Sequence, residues 1–450
     1  MAKKNRPEEF FIQMEELLGS IEAGQLVEVL LQVSAKSVRY NRNLCVRAEL
    51  KGVSVPWCVP YGRYWDGVEG ASLPSRTIDY AAGKYYIQEA SAMLAISVAE
   101  RVIDFNGKKV LDLTAAPGGK TTQVAELLGT GYLVANEVVR NRLDALIWNI
   151  NRHRLNNVIV TSLATDFLAQ VLPGFFDIVI VDAPCSGEGL FQKRKNTPLN
   201  WSVKNVRFCA RRQQAILIDA QQLIKPEGYL IYSTCTFSQA ENEAQVAFLL
   251  QQGMEPVSLP GVDVLPVSAA ITDNERVARC SRRIFPHREK GAGAFVSILR
   301  NSGQVTSPVK PPPLKYYQGN SSSMICSALG FLSTEGTGGF FYEKSGIISY
   351  FSHDSIPAAL ERHTFQIGAP LIDKRRDNEL MFGCAQFPAS EKILRLERLE
   401  AEAYIRGEDL PLHQPDGYYF VAYDNMVLGP VRIIRQLAAN KFPRPLRTLI

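Results

Sequence analysis

The sequence predicts an α/β fold, a sheet of parallel strands covered by helices, with a smaller mixed or β module behind it. Three observations carry this. Between residues 108 and 300, short β-branched runs alternate with amphipathic stretches. One of those runs opens directly into a loop of small residues, Thr114-Ala-Ala-Pro-Gly-Gly-Lys-Thr121. Beyond residue 302 the chain becomes Pro- and Ser-rich, then aromatic and Gly-rich. Strand–helix alternation builds parallel sheets, because each parallel pair needs a crossover long enough to hold a helix.

The elements follow in order. An acidic amphipathic helix pattern, Glu8 to Leu18, opens an N-terminal segment of mixed character. The strand candidates are Lys109-Val-Leu-Asp-Leu113, Tyr132-Leu-Val-Ala-Asn-Glu137, Val158-Ile-Val160, Phe176-Asp-Ile-Val-Ile-Val-Asp182, Tyr229-Leu-Ile-Tyr-Ser-Thr234 and Ala294-Phe-Val-Ser-Ile-Leu299. Helical stretches such as Gln123–Leu128, Arg140–Arg154 and Val203–Ile224 separate most of them. Ser302 to Ser323, with Pro311-Pro-Pro-Leu314 and Asn320-Ser-Ser-Ser323, reads as a linker. The expected division is 1–95, 96–301, 302–372 and 373–450, and no internal repeat is visible.

At 450 residues the chain has room for about three domains. With 46% apolar and 21% charged residues and a mean hydropathy near zero, it has the composition of a globular protein. The start lacks an apolar leader, and no stretch approaches the ~18 apolar residues of a membrane span. Eight cysteines without a CxxC, and five histidines without ligand spacing, predict a reduced cytoplasmic protein with neither disulfides nor a metal. The net charge of +5 is unevenly spread. Gly189–Ile218 holds seven Lys/Arg and no acid, Arg276–Lys290 six against one Glu, and 431–450 five and no acid. Each could be an ordinary solvated face; three together predict a polyanionic partner.

The glycine loop narrows the ligand. A strand, a turn of small residues and a helix start let a ligand approach backbone N–H groups. Gly119-Lys120-Thr121 resembles the end of a phosphate-binding P-loop, but that pattern needs Gly where Thr114 stands, and Pro117 stiffens the loop. The rival ligand, an adenosyl group, needs an acid at the tip of the second strand for its ribose hydroxyls. Glu137 sits there, and Asp166 beyond the third strand is placed for an adenine edge. Either acid alone is as well explained by a helix cap. No GxGxxG follows a strand, which disfavours a nicotinamide cofactor.

Two cysteines stand at strand ends. Asp182-Ala-Pro-Cys185 closes the fourth strand and Ser233-Thr-Cys235 the fifth, beside the expected adenosyl site. The basic run from Lys193 is expected to favour thiolate at Cys185. A thiolate, an acid and a methyl donor together suit methylation of cytosine at carbon 5. Thiolate addition to carbon 6 makes carbon 5 nucleophilic, and a carboxyl at the N3 edge steadies the charge.

On these motifs the chain resembles the NOL1/NOP2/Sun family of RNA cytosine-C5 methyltransferases, over about two-thirds of its length. The resemblance rests on Ala115-Ala-Pro-Gly-Gly-Lys-Thr121, Asp182-Ala-Pro-Cys-Ser-Gly187 and Ser233-Thr-Cys-Thr236. Arg39-x-Asn41, Tyr85–Met93, Pro286-His-Arg and Gly291-x-Gly293-x-Phe295 extend it. Gly429-Pro-Val-Arg and Asn440–Arg447 resemble the PUA-like RNA-binding tail of bacterial small-subunit rRNA methyltransferases of the RsmF type. The resemblance implies a Rossmann-like class I methyltransferase domain flanked by a small N-terminal α/β domain and a PUA-like module. It implies S-adenosylmethionine held by Ala115, Ala116, Pro117, Gly118, Gly119, Lys120, Thr121, Glu137, Asp166 and Asp182, with Arg142 nearby. It makes Cys235 the nucleophile, Cys185 the residue that helps release the product and Asp182 the third catalytic group. The partner it implies is rRNA, acted on by a monomer without metal or membrane. Thr114 departs from the family's usual Cys, for which only a packing change is expected. The basic run at 189–218 becomes part of an RNA groove, with Phe191 and Trp201 as candidate stacking platforms or, as the alternative that suits Trp201 better, core residues.

Overall fold

The computed structural model describes residues 8–45, 50–66, 73–192, 201–259, 265, 267–303, 316–318, 339–361, 363–376, 379–444 and 447. The helix expected at Glu8–Leu18 forms over those residues, and a second follows at Ser20–Leu30. Phe10 and Met14, one turn apart, are its buried stripe. They pack against Phe191, Trp201, Phe237 and Phe285 from the central domain. A small antiparallel sheet comes next, of β1 (Ser37–Tyr40), β2 (Val53–Ser54), β3 (Gly62–Tyr64) and β4 (Tyr85–Ile87), in the order β2-β3-β1-β4.

The central sheet has a parallel heart. Its strands β5 (Lys109–Asp112), β6 (Tyr132–Asn136), β7 (Val158–Thr161), β8 (Phe176–Asp182) and β9 (Ile224–Thr234) lie in the order β9-β8-β5-β6-β7. The chain leaves β5 toward β6 and β7, then returns to β8 on its other side. That reversal opens a crevice at the carboxyl ends of the strands. Both faces are covered, and the strands accordingly read as continuous apolar runs. Side chains alternate between two cores: Ile178 and Ile180 face one, Val179 and Val181 the other. Helices Leu94–Ala99, Gly119–Ala125 and Leu143–Arg152 cover the first face, and Thr165–Val171, Val203–Leu223 and Glu243–Gln251 the second.

Four more strands, β10 (Met254–Pro256), β11 (Ser268–Ala269), β12 (Ser281–Ile284) and β13 (Ala294–Asn301), extend the sheet. Here the expectation of a parallel sheet is corrected: Ala294–Leu299 forms a strand but runs antiparallel to β9. The loop between β12 and β13 is too short for a crossover helix, so those two strands pair as a hairpin. Most of the expected linker lies outside the described residues. Thr364–Ile367, beyond it, adds antiparallel to the outer edge of β7 and ties the later chain to this sheet.

Phe340–Lys344 and Ile347–Phe351 form a hairpin over the two-residue turn Ser345-Gly346, both at positive φ as such tight turns require. With Ala369–Asp373 and Glu379–Leu380 they make a four-stranded sheet. A five-stranded sheet of Ile393–Arg395, Leu410–Pro411, Gly417–Tyr423, Met426–Ile434 and Leu437–Asn440 closes the chain, with one helix, Arg398–Arg406. A reciprocal Glu397/Glu400 cap starts that helix and Gly407, at φ 91°, ends it. Among the described residues no helix is long and apolar enough to cross a membrane.

Candidate active site

The glycine loop leaves β5 at Asp112 and enters the helix Gly119–Ala125 through Gly118, at φ 108°. Ala115 N–H donates to the Asn136 carbonyl at 2.9 Å, pinning the loop to the end of β6. Thr114 Oγ1 donates to the Asp182 carbonyl at 3.0 Å, so this departure from the family motif ties the loop to β8. A cleft of about 220 Å³ follows, lined by Asp112, Thr114 to Pro117, Gly119, Lys120 and Asp182, with Tyr86 to Glu89 opposite.

Two buried carboxylate oxygens at this end of the sheet accept no hydrogen bond, Asp112 Oδ1 and Glu137 Oε2. Glu137 Oε1 accepts from Val139 N–H at 2.9 Å, and Oε2 lies 3.0 Å from Arg142 Nη1 but outside hydrogen-bonding geometry. Buried unpaired acceptors are costly and call for a donor. An ammonium group and ribose hydroxyls are donors of that kind, so the residues present fit S-adenosylmethionine. Asp112 was not singled out from the sequence, where it passes for one more strand residue. Its environment sets it apart: burial pushes its pKa up to about 6, against the Thr121 hydrogen bond and with help from the nearby Asp182 charge.

A second cleft of about 190 Å³ adjoins the first and shares Glu89, Ala92, Lys120 and Asp182 with it. Its lining includes Cys235, Ser233, Gly189, Leu190 and Ala292 to Phe295. Asp182 and Ser233 are paired across β8 and β9, and Ser233 Oγ donates to Asp182 Oδ1 at 2.8 Å. Lys120 Nζ holds the other oxygen at 2.8 Å. Burial pulls the Lys120 pKa down, but the Asp182 charge and hydrogen bond, with Cys235 and Asp112 behind them, raise it overall. Lys120 is therefore a firm cation between the two clefts.

Cys185 Sγ and Cys235 Sγ stand 3.3 Å apart. The hydrogen bond to Cys235, then burial, push the Cys185 thiol well above its usual range. This corrects the expectation that the basic run favours thiolate at Cys185; Lys193, Arg194 and Lys195 lie outside the described residues. Cys185 keeps its proton and can offer it to the sulfur of Cys235. Behind the pair, Glu241 Oε2 accepts from Ser186 N–H at 2.9 Å and Gln213 Nε2 at 2.8 Å, and Glu188 accepts from Trp201 Nε1 at 2.9 Å and Phe237 N–H at 2.6 Å. None of these supports was foreseen, because their partners are distant in sequence.

The structure brings Lys120, Asp182, Cys185 and Cys235 together with the loop 115–121. Glu137 and Arg142 lie at the end of β6 and Asp166 in the exposed first turn of the helix Thr165–Val171; none of the three lines either cleft. Asp166 Oδ1 accepts from Phe167 N–H at 2.8 Å. Phe191 and Trp201, candidates for stacking with a core position as the alternative, are both buried against Phe10, as the core reading of Trp201 expects. The seven described cysteines form no disulfide. A larger cavity, about 500 Å³, lies away from these groups, between Trp148, Phe382 and Pro443. Its lining includes no thiol and no unpaired buried carboxylate, in contrast to the two smaller clefts.

Comparison with known proteins shows the family. Residues 103–300 match the family model for 16S rRNA methyltransferase RsmB/F, 7–90 the N-terminal domain of 16S rRNA methyltransferase RsmF, and 391–448 the methyltransferase RsmF PUA domain. The ribosomal RNA small subunit methyltransferase F of Vibrio cholerae serotype O1 is 33% identical across 98% of this chain and 97% of its own length. That of Erwinia tasmaniensis is 30% identical across 87% of this chain and 84% of its own. Among solved structures, NSun6 from Pyrococcus horikoshii with SFG, a S-adenosylmethionine analogue, covers 66% of this chain and 99% of its own at TM-score 0.57 and 21% identity. A methyltransferase homolog from the same organism covers 65% and 93% at TM-score 0.56 and 26% identity. The chain belongs to the ribosomal RNA small subunit methyltransferase F family of S-adenosylmethionine-dependent enzymes.

Proposed function

We propose that this enzyme methylates carbon 5 of a cytidine in small-subunit (16S) rRNA through a covalent bond between Cys235 and carbon 6 of the base. The observation that supports this most is the Cys185–Cys235 pair, 3.3 Å apart, beside a cleft that shares Lys120 and Asp182 with the cofactor cleft. S-adenosylmethionine supplies a methyl group carried on a positively charged sulfur. Carbon 5 of cytosine is too electron-poor to take it unaided. Addition of the Cys235 thiolate to carbon 6 opens the 5,6 double bond and puts its electron pair on carbon 5. The Asp182 carboxyl meets the N3 edge, and the Lys120 ammonium 2.8 Å from it steadies the negative charge that gathers there. After the carbon–carbon bond forms, solvent water takes up the C5 proton, the C5–H electron pair restores the 5,6 double bond and the carbon–sulfur bond breaks, with Cys235 departing as a thiolate that can accept a hydrogen bond from Cys185 Sγ–H. Cys185 Sγ assists that release.

In this reading Ala115 to Thr121 cradle the cofactor, Asp112 receives its ammonium, Glu137 its ribose hydroxyls and Asp166 its adenine edge, while Arg142 steadies Glu137. The four parts, 1–95, 96–301, 302–372 and 373–450, divide the work. The target base must be splayed from its stack, which costs a few kcal/mol. The N-terminal and PUA parts offset that by gripping flanking RNA. The enzyme works as a cytoplasmic monomer, and no step uses a metal.

The test is methyl transfer from labelled S-adenosylmethionine to isolated 16S rRNA and to assembled small subunits, with nucleoside analysis, for the wild type and Cys235→Ala. Label in 5-methylcytidine that vanishes in the variant is the expected result. Label in another nucleoside, or full activity without the Cys235 thiol, overturns the mechanism.

A further inference from the structure

In two of the three basic segments some of the cations are met by partners within the protein. Arg283 is buried in an ion pair with Glu243, Arg288 pairs with Glu22, and Lys290 lies 3.7 Å from Asp66. In the C-terminal segment Lys441 pairs with Glu379, and Arg432 lies over the Tyr418 ring. The helix Val203–Leu223 differs. Lys204, Arg207, Arg211 and Arg212 are all exposed, and no carboxylate of the described residues pairs with them. The helix contains one acid, Asp219, in its far half, where it accepts from Thr165 Oγ1 at 2.5 Å.

Among these cations stands Phe208, 57% exposed, while Val206, Cys209 and Gln213 on the opposite face are buried. Spacings of three and four residues place Lys204, Arg207, Phe208, Arg211 and Arg212 on one side of the helix, along about 12 Å of its axis. An exposed aromatic ring ringed by unpaired cations suits a chain of bases and phosphates. The cations meet the backbone, and the ring offers a π-face that any base can stack on.

The helix is also fastened to the mouth of the base cleft. Ser202 caps its start, and the adjoining Trp201 donates Nε1–H to Glu188 at 2.9 Å. The next residue after Glu188, Gly189, lines the cleft and donates its N–H to the Cys235 carbonyl at 2.8 Å. The helix thus starts at the cleft and leads away from it.

We propose that this face of the helix is the track for single-stranded RNA next to the target nucleotide, with one base stacked on Phe208 and phosphates at Lys204, Arg207, Arg211 and Arg212. The assignment rests on the RNA reading above and names a surface that reading leaves open. It replaces Phe191 and Trp201, whose buried rings hold the helix start in place.

The test uses the full chain with 16S rRNA and with a short cytidine-rich single-stranded oligoribonucleotide, and the same sequence as a duplex for control. Phe208→Ala should weaken single-strand binding roughly 5- to 150-fold, the range of one lost base stack, with little change for the duplex. Phe208→Trp should restore it. Arg207→Gln with Arg211→Gln should flatten the logarithmic salt dependence of single-strand binding by roughly 1.4, about 0.7 per phosphate contact. In turnover Phe208→Ala and the double arginine variant should raise the KM for RNA and keep kcat at saturating RNA. Wild-type affinity and salt dependence in both variants overturn the surface, while methylation by the wild type keeps the substrate reading intact. A wild type that neither binds nor methylates RNA sinks the substrate reading, and the surface with it.

Discussion

Asp112 offers a test of the cofactor cleft that needs no RNA. Its carboxyl is fully buried, with Oδ2 accepting from Thr121 Oγ1 at 2.7 Å and Oδ1 accepting nothing. Burial raises its pKa from 3.8 to about 6. An ammonium group at Oδ1 requires the ionised form. Affinity for S-adenosylmethionine should therefore be full above about pH 6 and fall as pH drops through that value, by up to tenfold per unit. A hydrogen bond to a charged group is worth ~1.5–3 kcal/mol, so Asp112→Asn should weaken binding roughly 10- to 150-fold near neutral pH. It should also remove the pH dependence.

The unliganded protein gives the opposite sign. A carboxyl whose pKa is raised on folding stabilises the fold fully below the unfolded value and loses that contribution as pH rises through the folded one. From 3.8 to about 6 this amounts to roughly 3 kcal/mol, and Asn does not ionise. The variant should thus bind the cofactor worse and, empty, resist urea better than wild type near neutral pH. Titration calorimetry between about pH 5 and 7.5, beside urea unfolding without ligand, reads both. A wild-type affinity flat across that window, or a variant that keeps wild-type affinity, refutes the reasoning.

Two further substitutions probe the frame. A Cβ on Gly189 would stand 2.7 Å from the Cys235 carbonyl oxygen and 2.9 Å from that of Ala292, both backbone atoms. Gly189→Ala should shift the Cys235 backbone and lower kcat about 10²-fold, as misplacements near 1 Å do, with cofactor affinity unchanged; near-normal kcat counts against the geometry. Arg39 and Glu126, joined at 2.9 Å through both carboxylate oxygens, are buried together, and Arg39 Nη2 also donates to Thr122 Oγ1 on the helix after the cofactor loop. Arg39→Met should cost about 3–5 kcal/mol in urea unfolding by leaving the buried Glu126 charge with only Arg42 N–H at 3.1 Å and His153 Nδ1 at 3.4 Å, and adding Glu126→Leu should return part of it; a loss below about 1 kcal/mol contradicts the pairing.

The sheet was legible because its strands are buried on both faces, which forces β-branched apolar runs that no surface segment imitates. The loop 114–121 and the two cysteines were legible for a related reason: each marks where an apolar run stops and the chain leaves the sheet. Direction was less legible, since a run such as Ala294–Leu299 looks alike parallel or antiparallel. Charge was least legible. Arg283 and Glu243 are 40 residues apart, Arg288 and Glu22 are 266, and Arg39 and Glu126 are 87, so no local pattern says which cations are already neutralised. The same blindness hid Asp112 and favoured buried Phe191 and Trp201 over exposed Phe208.

Strand order explains why the two clefts share a wall. The cofactor loop leaves β5 and Cys235 follows β9, and in the order β9-β8-β5 one strand stands between them. Whatever lies at the tip of β8 is next to both, and that residue is Asp182, paired in register with Ser233 on one side and held by Lys120 on the other. The N-terminal part completes the second cleft. Glu89 Oε1 accepts from Ala292 N–H at 2.9 Å and Ser91 Oγ accepts from Gly293 N–H at 3.1 Å. A Cβ at Gly291 would stand 2.2 Å from Ser91 Oγ, so a side chain there would turn that hydroxyl away from Gly293. The second cleft is thus walled by two parts of the chain far apart in sequence. Separating them would open it while leaving the loop Ala115–Thr121 on its own strand.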